Sequence, residues 1–559
     1  MAAKSVGGPA PAAWLAIVGL LLVVAVPFAA VVMQGVFPDL GQGSFARPFS
    51  SFVATLNDGA LIGMAGNTIL LGFCVVLASA LVAVPLGVFR ALYRVPGAAL
   101  FDVALLVPFM IPPYIATLGW IMTLQPRGYL QQLVGFNLSP FLFSLAGMTM
   151  VMAFNTFPVV YFAVSRTVEA VGARYADVGR VFGATPARAF WRITLPLSAP
   201  GLAASLMLVF AAAIEEYGTP AALGRRAGFQ VLVTGIDLRI SDWPIDLPGA
   251  SIMSLLLVGL SLLTFLGQRW ILSRRSYQTV NGKPTAKDKR PLGAMKWPVL
   301  TAFIIVSFLA TGVPLLSILA TAMSRTISGG LAFDNMSFDN FLQVFGNSAG
   351  ALGALANSFS LGIGTALITG LIGVTAAYTV VKTKIRGRLA IDSLTIIPNA
   401  LPGIVVAVGL ILAWNMPWLP ATPYNTPFIL LLAYCCILLP QTMRYSTAAF
   451  QQIGDNLEAA ARVFGASGIT AFRRILLPLV FPSLASAMLL VFALASRELV
   501  ASVVIAPVGM QTIATFIWQQ FEQGSIGLGM AMAFIAILIT TLLPLLLLAL
   551  LRRSGLVAE

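Results

Sequence analysis

Four ionisable residues interrupt long apolar runs: Glu215 and Glu216, then Arg497 and Glu498. A charged side chain at membrane depth is costly, so by default it marks a solute path. Deprotonated carboxylates are hard oxygen donors, suited to a cation such as Fe³⁺. A guanidinium in the same place suits a phosphate or phosphonate instead. These residue types allow a charged outer gate or transit site, with Tyr217 as its cap. They equally allow an internal ion pair, Arg497 with Glu215 or Glu498, that holds helices in register. Other chemistry is thin. The chain has no histidine, hence no imidazole base and no His-ligated metal. Cys74, Cys435 and Cys436 sit inside apolar runs and read as buried small hydrophobes. The one Gly-Lys pair, Gly282-Lys283, is followed by Pro284, so no phosphate-binding loop of the P-loop kind exists. The expectation is a chain with no catalytic residues, no firmly assigned metal ligand and no cofactor of its own.

The elements that position these residues follow from composition. Of 559 residues 59% are hydrophobic and only 9% charged, against about 25% charged in soluble domains. Mean hydropathy is +0.94. That is an all-α integral membrane protein. Spans are expected near 14–36, 64–89, 101–125, 142–165, 198–216 and 249–272, then near 298–322, 352–381, 391–414, 427–446, 482–502 and 526–551. With the N-terminus inside, Arg47, Arg127, Arg225, Arg226, Arg239, Arg325 and Arg497 are the only basic residues of 33 outside or within a span. That bias predicts twelve spans with both termini cytoplasmic.

A basic linker at 273–297 separates a first half, 1–272, from a second, 298–559. The halves repeat. Arg180-Val-Phe-Gly-Ala184 recurs as Arg462-Val-Phe-Gly-Ala466, an offset of 282 that continues through Pro196/Pro478 and Glu216/Glu498. Earlier in each half the offset is 290, as in Asn67/Asn357, Pro108/Pro398, Pro112/Pro402 and Gly119/Gly409. Like-oriented repeats imply a pseudo-twofold along the membrane normal, with a path at the interface.

Between the fourth and fifth spans of each half lies a long, basic loop with helical patterning, about 166–196 and 447–478. One such loop reads equally as an amphipathic segment on the inner leaflet. Two copies with the same internal spacing favour a docking function. Asp177, Arg180, Gly183, Ala184, Ile193 and Pro196 mark the first copy; Glu458, Arg462, Gly465, Ala466, Ile475 and Pro478 mark the second. Here Gly permits a break and Pro is expected to stop the element.

At this point the chain resembles the permease subunits of ATP-binding-cassette importers, whose loop reads E-A-A-x-x-x-G, nine residues, then I-x-L-P. The Gly-to-Pro spacing matches in both halves. Asp177 takes the Glu position in the first, while in the second that position is Ala459 and Glu458 stands one residue early. The resemblance implies two six-helix bundles of the type I importer fold. It implies that both loops are coupling helices docking on two copies of a separate ATPase subunit, which alone binds ATP and Mg. It also implies a periplasmic or lipoprotein substrate-binding protein and a bacterial inner-membrane location. Glu215–Gly224 (EEYGTPAALG) and Ser496–Pro507 (SRELVASVVIAP) resemble the fused permeases of ferric-iron importers. Similar permeases carry 2-aminoethylphosphonate, sugar phosphates, thiamine or polyamines.

Pro85, Pro108, Pro112, Pro113, Pro398 and Pro402 are expected to kink helices, either along a path or as plain packing. Asn67-Thr68 and Asn357-Ser358 read as interhelical glue. Acidic residues at 37–62, 217–248 and 323–351 form outward loops, either solvated or facing a basic binding protein. A secondary transporter without an ATPase partner, a membrane enzyme and a passive channel are the rival classes.

Overall fold

The computed structural model of the chain describes residues 10–274, 289–383, 385, 388–416, 421–454 and 456–553. Most of the linker expected at 273–297 lies outside that set. Among the described residues every regular element is helical, and the β-contacts are two isolated bridges, Tyr93 with Arg290 and Ser324 with Met336. The first repeat contains α1 (Ala12–Val36), α2 (Gly59–Leu92), α3 (Ala98–Met110), α4 (Pro113–Leu124), α5 (Leu145–Val181), α6 (Phe190–Glu215), α7 (Leu232–Ser241) and α8 (Leu247–Arg274). The second contains α9 (Gly293–Ala322), α10 (Ala351–Lys382), α11 (Arg388–Ile396), α12 (Gly403–Trp414), α13 (Pro427–Gln452), α14 (Asn456–Val463), α15 (Gly468–Ala495), α16 (Val500–Ile505), α17 (Ile513–Glu522) and α18 (Ile526–Arg553).

Ten helices among the described residues are long and apolar enough to cross a membrane, and twelve spans result if each of two bent pairs counts as one. The bends fall inside the spans expected at 101–125 and 391–414, beside prolines expected to kink helices. The α3/α4 stretch turns by 98° and the α11/α12 stretch by 114°. Ile111 and Pro112 both take extended backbone, as does Pro402. A proline offers no N–H and bars its predecessor from helical geometry, so the helix stops and restarts. The span expected to reach 502 also stops early, because α15 ends at Ala495.

Elsewhere proline does not stop a helix. Pro196 and Pro478 lie inside α6 and α15, contrary to the expectation that they end the element. Each follows a π-turn, at Phe190–Thr194 and Phe472–Leu476. Pro27 and Pro314 follow π-turns at Leu21–Ala25 and Phe308–Gly312 in the same way. A proline ring collides with the carbonyl four residues back, and widening that turn relieves the collision.

The chain forms two compact units, residues 1–57, 236–258 and 338–559, and residues 58–235 and 259–337. The first helix of each repeat therefore belongs to the unit that holds most of the other repeat. In one unit α1 packs on α10 and α12; in the other α9 packs on α3 and α4. The matched glycines explain the fit. A Cβ on Gly409 of α12 would lie 2.5 Å from the carbonyl oxygen of Pro27, and one on Gly119 of α4 would lie 2.9 Å from that of Pro314. Small residues let membrane helices approach backbone to backbone. Of the cysteines, Cys435 and Cys436 are buried in α13, while Cys74 in α2 is half-exposed, contrary to expectation.

Gly409→Leu and Gly119→Leu should each destabilise the fold by about 1–3 kcal/mol through overpacking. Gly63→Leu, where no neighbour lies within reach of a Cβ, should be silent. Thermal unfolding in detergent reads the difference; equal melting temperatures for all three would refute the close-approach account.

Candidate functional site

The two Glu–Glu and Arg–Glu pairs lie where the fifth span of each repeat stops. Glu216 leaves the helix in extended backbone, φ −71° and ψ 126°. Its carboxylate turns forward and accepts the Thr219 N–H, with both oxygens at 3.0 Å. Glu498 does the same, accepting the Ala501 N–H at 3.2 and 3.1 Å and the Ser502 N–H at 3.3 Å. Thr219 and Ala501 are themselves repeat partners at the offset of 282. The first N–H groups of a helical turn have no partner within the turn, and a carboxylate both satisfies them and meets the positive end of the helix dipole. Glu216 and Glu498 are thus helix caps in this structure.

Their neighbours differ. Glu215 ends α6, and its Oε1 is buried with no hydrogen-bond partner. Arg497 is half-buried in the turn between α15 and α16. Tyr217 is buried. Gly218 runs against α4: a Cβ there would fall 2.6 Å from the Tyr114 Cβ. Thr117 and Thr219 share a buried hydroxyl–hydroxyl bond of 2.8 Å, and in the second repeat Tyr434 and Ser502 share one of 2.6 Å.

The segment after each cap is also fastened at its far end. Asn67 Nδ2 donates to the Gln230 carbonyl at 2.9 Å, and the Leu232 N–H donates to Thr68 Oγ1 at 2.9 Å. In the second repeat Asn357 Nδ2 donates to the Gln511 carbonyl at 2.9 Å, and the Ile513 N–H donates to Ser358 Oγ at 2.8 Å.

At the opposite end of α6 and α15 stand two hairpins of the same build. Here α5 continues unbroken to Val181, whereas α13 stops at Gln452 and α14 begins anew at Asn456. Gly183 and Gly465 follow these helices with φ of +84° and +83°. The Ala466 N–H reaches back to the Ala461 carbonyl at 3.0 Å. That is the Schellman arrangement, in which glycine takes the left-handed position that a Cβ would penalise. Two residues on, Thr185 and Ser467 cap the next turn, accepting the Arg188 N–H at 3.3 Å and the Thr470 N–H at 3.2 Å. The π-turns and Pro196 or Pro478 then lead into α6 and α15.

Ala184 and Ala466 flank the glycines, half-buried; Ile193 and Ile475 are half-buried within the π-turns; Pro196 and Pro478 are exposed. Glu458 Oε1 accepts from the Tyr378 hydroxyl at 3.5 Å. Asp177, Arg180 and Arg462 lie on α5 and α14, with side chains outside the described set. The residues that the sequence reading passed over are the apolar tips. Val181 and Phe182 are 84% and 86% exposed, and Val463 and Phe464 are 84% and 91% exposed. The signal was present in the repeated Arg-Val-Phe-Gly-Ala, but two apolar residues inside an apolar chain draw no notice until their exposure is known.

Each repeat thus carries a capped break at one end of its fifth span and a turned hairpin at the other. The family described as binding-protein-dependent transport system inner membrane component matches residues 83–277 and again residues 369–555. The chain belongs to this family. It is a multi-pass transport permease that carries two permease repeats fused in one polypeptide. The permease is similar to the ferric transport system permease protein FbpB of Actinobacillus pleuropneumoniae, 25% identical over 497 residues, covering 87% of this chain and 71% of that protein. It is similar to the Fe(3+)-transport system permease protein FbpB 2 of Haemophilus influenzae, 24% identical, covering 81% and 83%. It also resembles the putative 2-aminoethylphosphonate transport system permease protein PhnV of Salmonella paratyphi A, 28% identical, covering 45% of this chain and 92% of that one.

Removing either cap with Glu216→Ala or Glu498→Ala should cost about 0.5–2 kcal/mol of stability. Gln at the same place retains an acceptor oxygen and should keep most of it. If Gln and Ala variants melt like wild type yet both lose uptake, the carboxylates act on cargo and not as caps.

Proposed function

We propose that this permease is the membrane subunit of an ATP-driven importer, worked from its inner face by two copies of a separate ATPase. One observation carries the reading: the Val181–Phe182 and Val463–Phe464 pairs, fully built onto left-handed glycine turns, are almost wholly exposed at equivalent places in both repeats. A bulky aromatic held rigidly in the open by a capped turn is an anchor in search of a pocket. A lipid-lying segment would have no use for a positive-φ turn at the same spacing twice. Around each tip Asp177, Arg180, Gly183, Ala184, Ile193 and Pro196, or Glu458, Arg462, Gly465, Ala466, Ile475 and Pro478, make up the docking hairpin.

ATP binding draws the two ATPase subunits together and the hairpins with them. Because each hairpin runs straight into α6 or α15, the pull reaches Glu215–Tyr217 and Arg497–Glu498 at the other end, and the path opens to a docked binding protein. Hydrolysis resets it. ATP and Mg stay on the partner; this chain binds neither and catalyses nothing. Both termini lie in the cytoplasm, as the basic loops favour, and the membrane is a bacterial inner membrane.

Ferric iron is the cargo best supported, since relatives matching over most of the chain are named for it. Arg497, replacing the carboxylate of Glu215 in the second repeat, favours 2-aminoethylphosphonate as the second reading, in keeping with a shorter relative named for that solute. Analysis of what the cognate binding protein holds on isolation separates them: bound iron supports the first and a phosphonate the second.

Phe182→Asp with Phe464→Asp should abolish capture of the ATPase and ATP-dependent uptake, with folded yield unchanged because both tips face solvent. Full uptake by that variant, or full uptake by wild type in vesicles lacking nucleotide, would reject the coupling role.

A further inference from the structure

The segments that follow the caps, from Tyr217 to Val231 and from Leu499 to Thr512, share almost no sequence. One begins Tyr-Gly-Thr-Pro and contains helical turns at Pro220–Gly224 and Arg225–Ala227; the other begins Leu-Val-Ala-Ser and contains α16. What the two repeats do share is the fastening. At the near end it is Glu216 or Glu498, and at the far end Asn67 with Thr68 or Asn357 with Ser358, with corresponding bonds of 2.9 Å in the first repeat and 2.9 and 2.8 Å in the second. Thr68 and Ser358 are buried. The Leu232 and Ile513 N–H groups are closed off in buried contacts, so a hydroxyl on the neighbouring span completes each of them.

The near end is equally determined. Phe190–Glu215 is one helix of 26 residues, about 39 Å at 1.5 Å per residue, with the Phe182 tip just before it and the Glu216 cap just after. A displacement at the hairpin therefore has one continuous helix through which to reach the cap. The segment beyond is held to that moving helix by Glu216 and to α2 by Asn67 and Thr68. In the second repeat α15, Glu498, α10, Asn357 and Ser358 stand in the same relation.

We propose that Asn67 and Thr68, with Asn357 and Ser358, are positioning residues of the outer gate. They pin the far edge of each non-spanning segment to the second span of its repeat, so that a shift of the fifth span tilts the segment as a plate hinged on that edge. This rests on the importer reading given above. The unlike sequences between the fastenings leave each plate free to present different side chains to the cargo, while the hinge stays the same. Without the hinge the fifth span still moves, but the plate follows loosely, and the closed state leaks.

The test uses the full chain in proteoliposomes with its ATPase and binding protein. The variants are Asn67→Ala with Asn357→Ala, Thr68→Ala with Ser358→Ala, and the hydroxyl-keeping exchange Thr68→Ser with Ser358→Thr. Both alanine pairs should leave ATPase capture by the folded protein at the wild-type level, with any fall in folded yield smaller than the fall in uptake. They should lower cargo uptake about tenfold, raise nucleotide-free permeability to protons, and leave ATP hydrolysis poorly matched to uptake. The hydroxyl exchange should behave as wild type. Wild-type uptake and permeability in the alanine pairs would overturn the proposal, as would a fall in folded yield that accounts for the whole loss of uptake. Should wild type itself capture no ATPase, the importer reading fails, and the proton permeability of the alanine pairs alone still decides whether these residues hold a gate shut.

Discussion

In hydrocarbon, no backbone N–H or C=O group can be handed to water, and each one left unpaired costs several kcal/mol. A chain of unbroken helices meets that demand without effort, but it makes a poor machine, since nothing in it can bend. The structure answers the demand separately at every place where a helix is interrupted. Proline within a span is absorbed by a π-turn, as at Phe190–Thr194 and Phe472–Leu476. A break at the end of the fifth span is closed by a carboxylate that takes the exposed amides. The far end of the same break is closed by asparagine and a hydroxyl from another helix. These carboxylates, asparagines and hydroxyls are repairs to the backbone, and their positions record where the helices give way.

This alters how the ionisable pairs are understood. Costly intramembrane charge suggests contact with cargo, and Glu215, Glu216, Arg497 and Glu498 all fit that pattern by residue type. Two of the three carboxylates are spent on main-chain amides. That leaves the asymmetric pair, Glu215 and Arg497, as the position at which the repeats differ in charge. The capping carboxylate is the same in both repeats, whereas its neighbour differs.

The same economy appears in packing. Gly119 and Gly409 recur because each lies beneath a proline of a helix from the opposite repeat, Pro314 and Pro27. Exchange of the first helices makes each unit depend on both repeats. It supplies a physical rationale for fusing the repeats: a single chain holds both partners of the exchange at high effective concentration.

Much was legible beforehand. Composition alone dictates a helical membrane protein, because only internal hydrogen bonding survives in lipid, and the matched motifs reveal the duplication and both hairpins, because turns are local. The glycine turns are written in residue types at short range, whereas the asparagines read only as interhelical glue until their partners, more than 150 residues away, are known. Three features were not. Whether a proline stops a helix, as at Pro112, or is carried through it, as at Pro196, depends on what its neighbours can offer the displaced carbonyl. Which backbone N–H the carboxylate of Glu216 or Glu498 accepts depends on where the chain turns next. That α1 belongs with the second repeat, and that Phe182 and Phe464 stand in the open, depends on contacts between residues hundreds apart. A sequence carries its local rules in plain view, whereas exposure and partnership are properties of the assembled solid, decided only when distant helices compete for the same space.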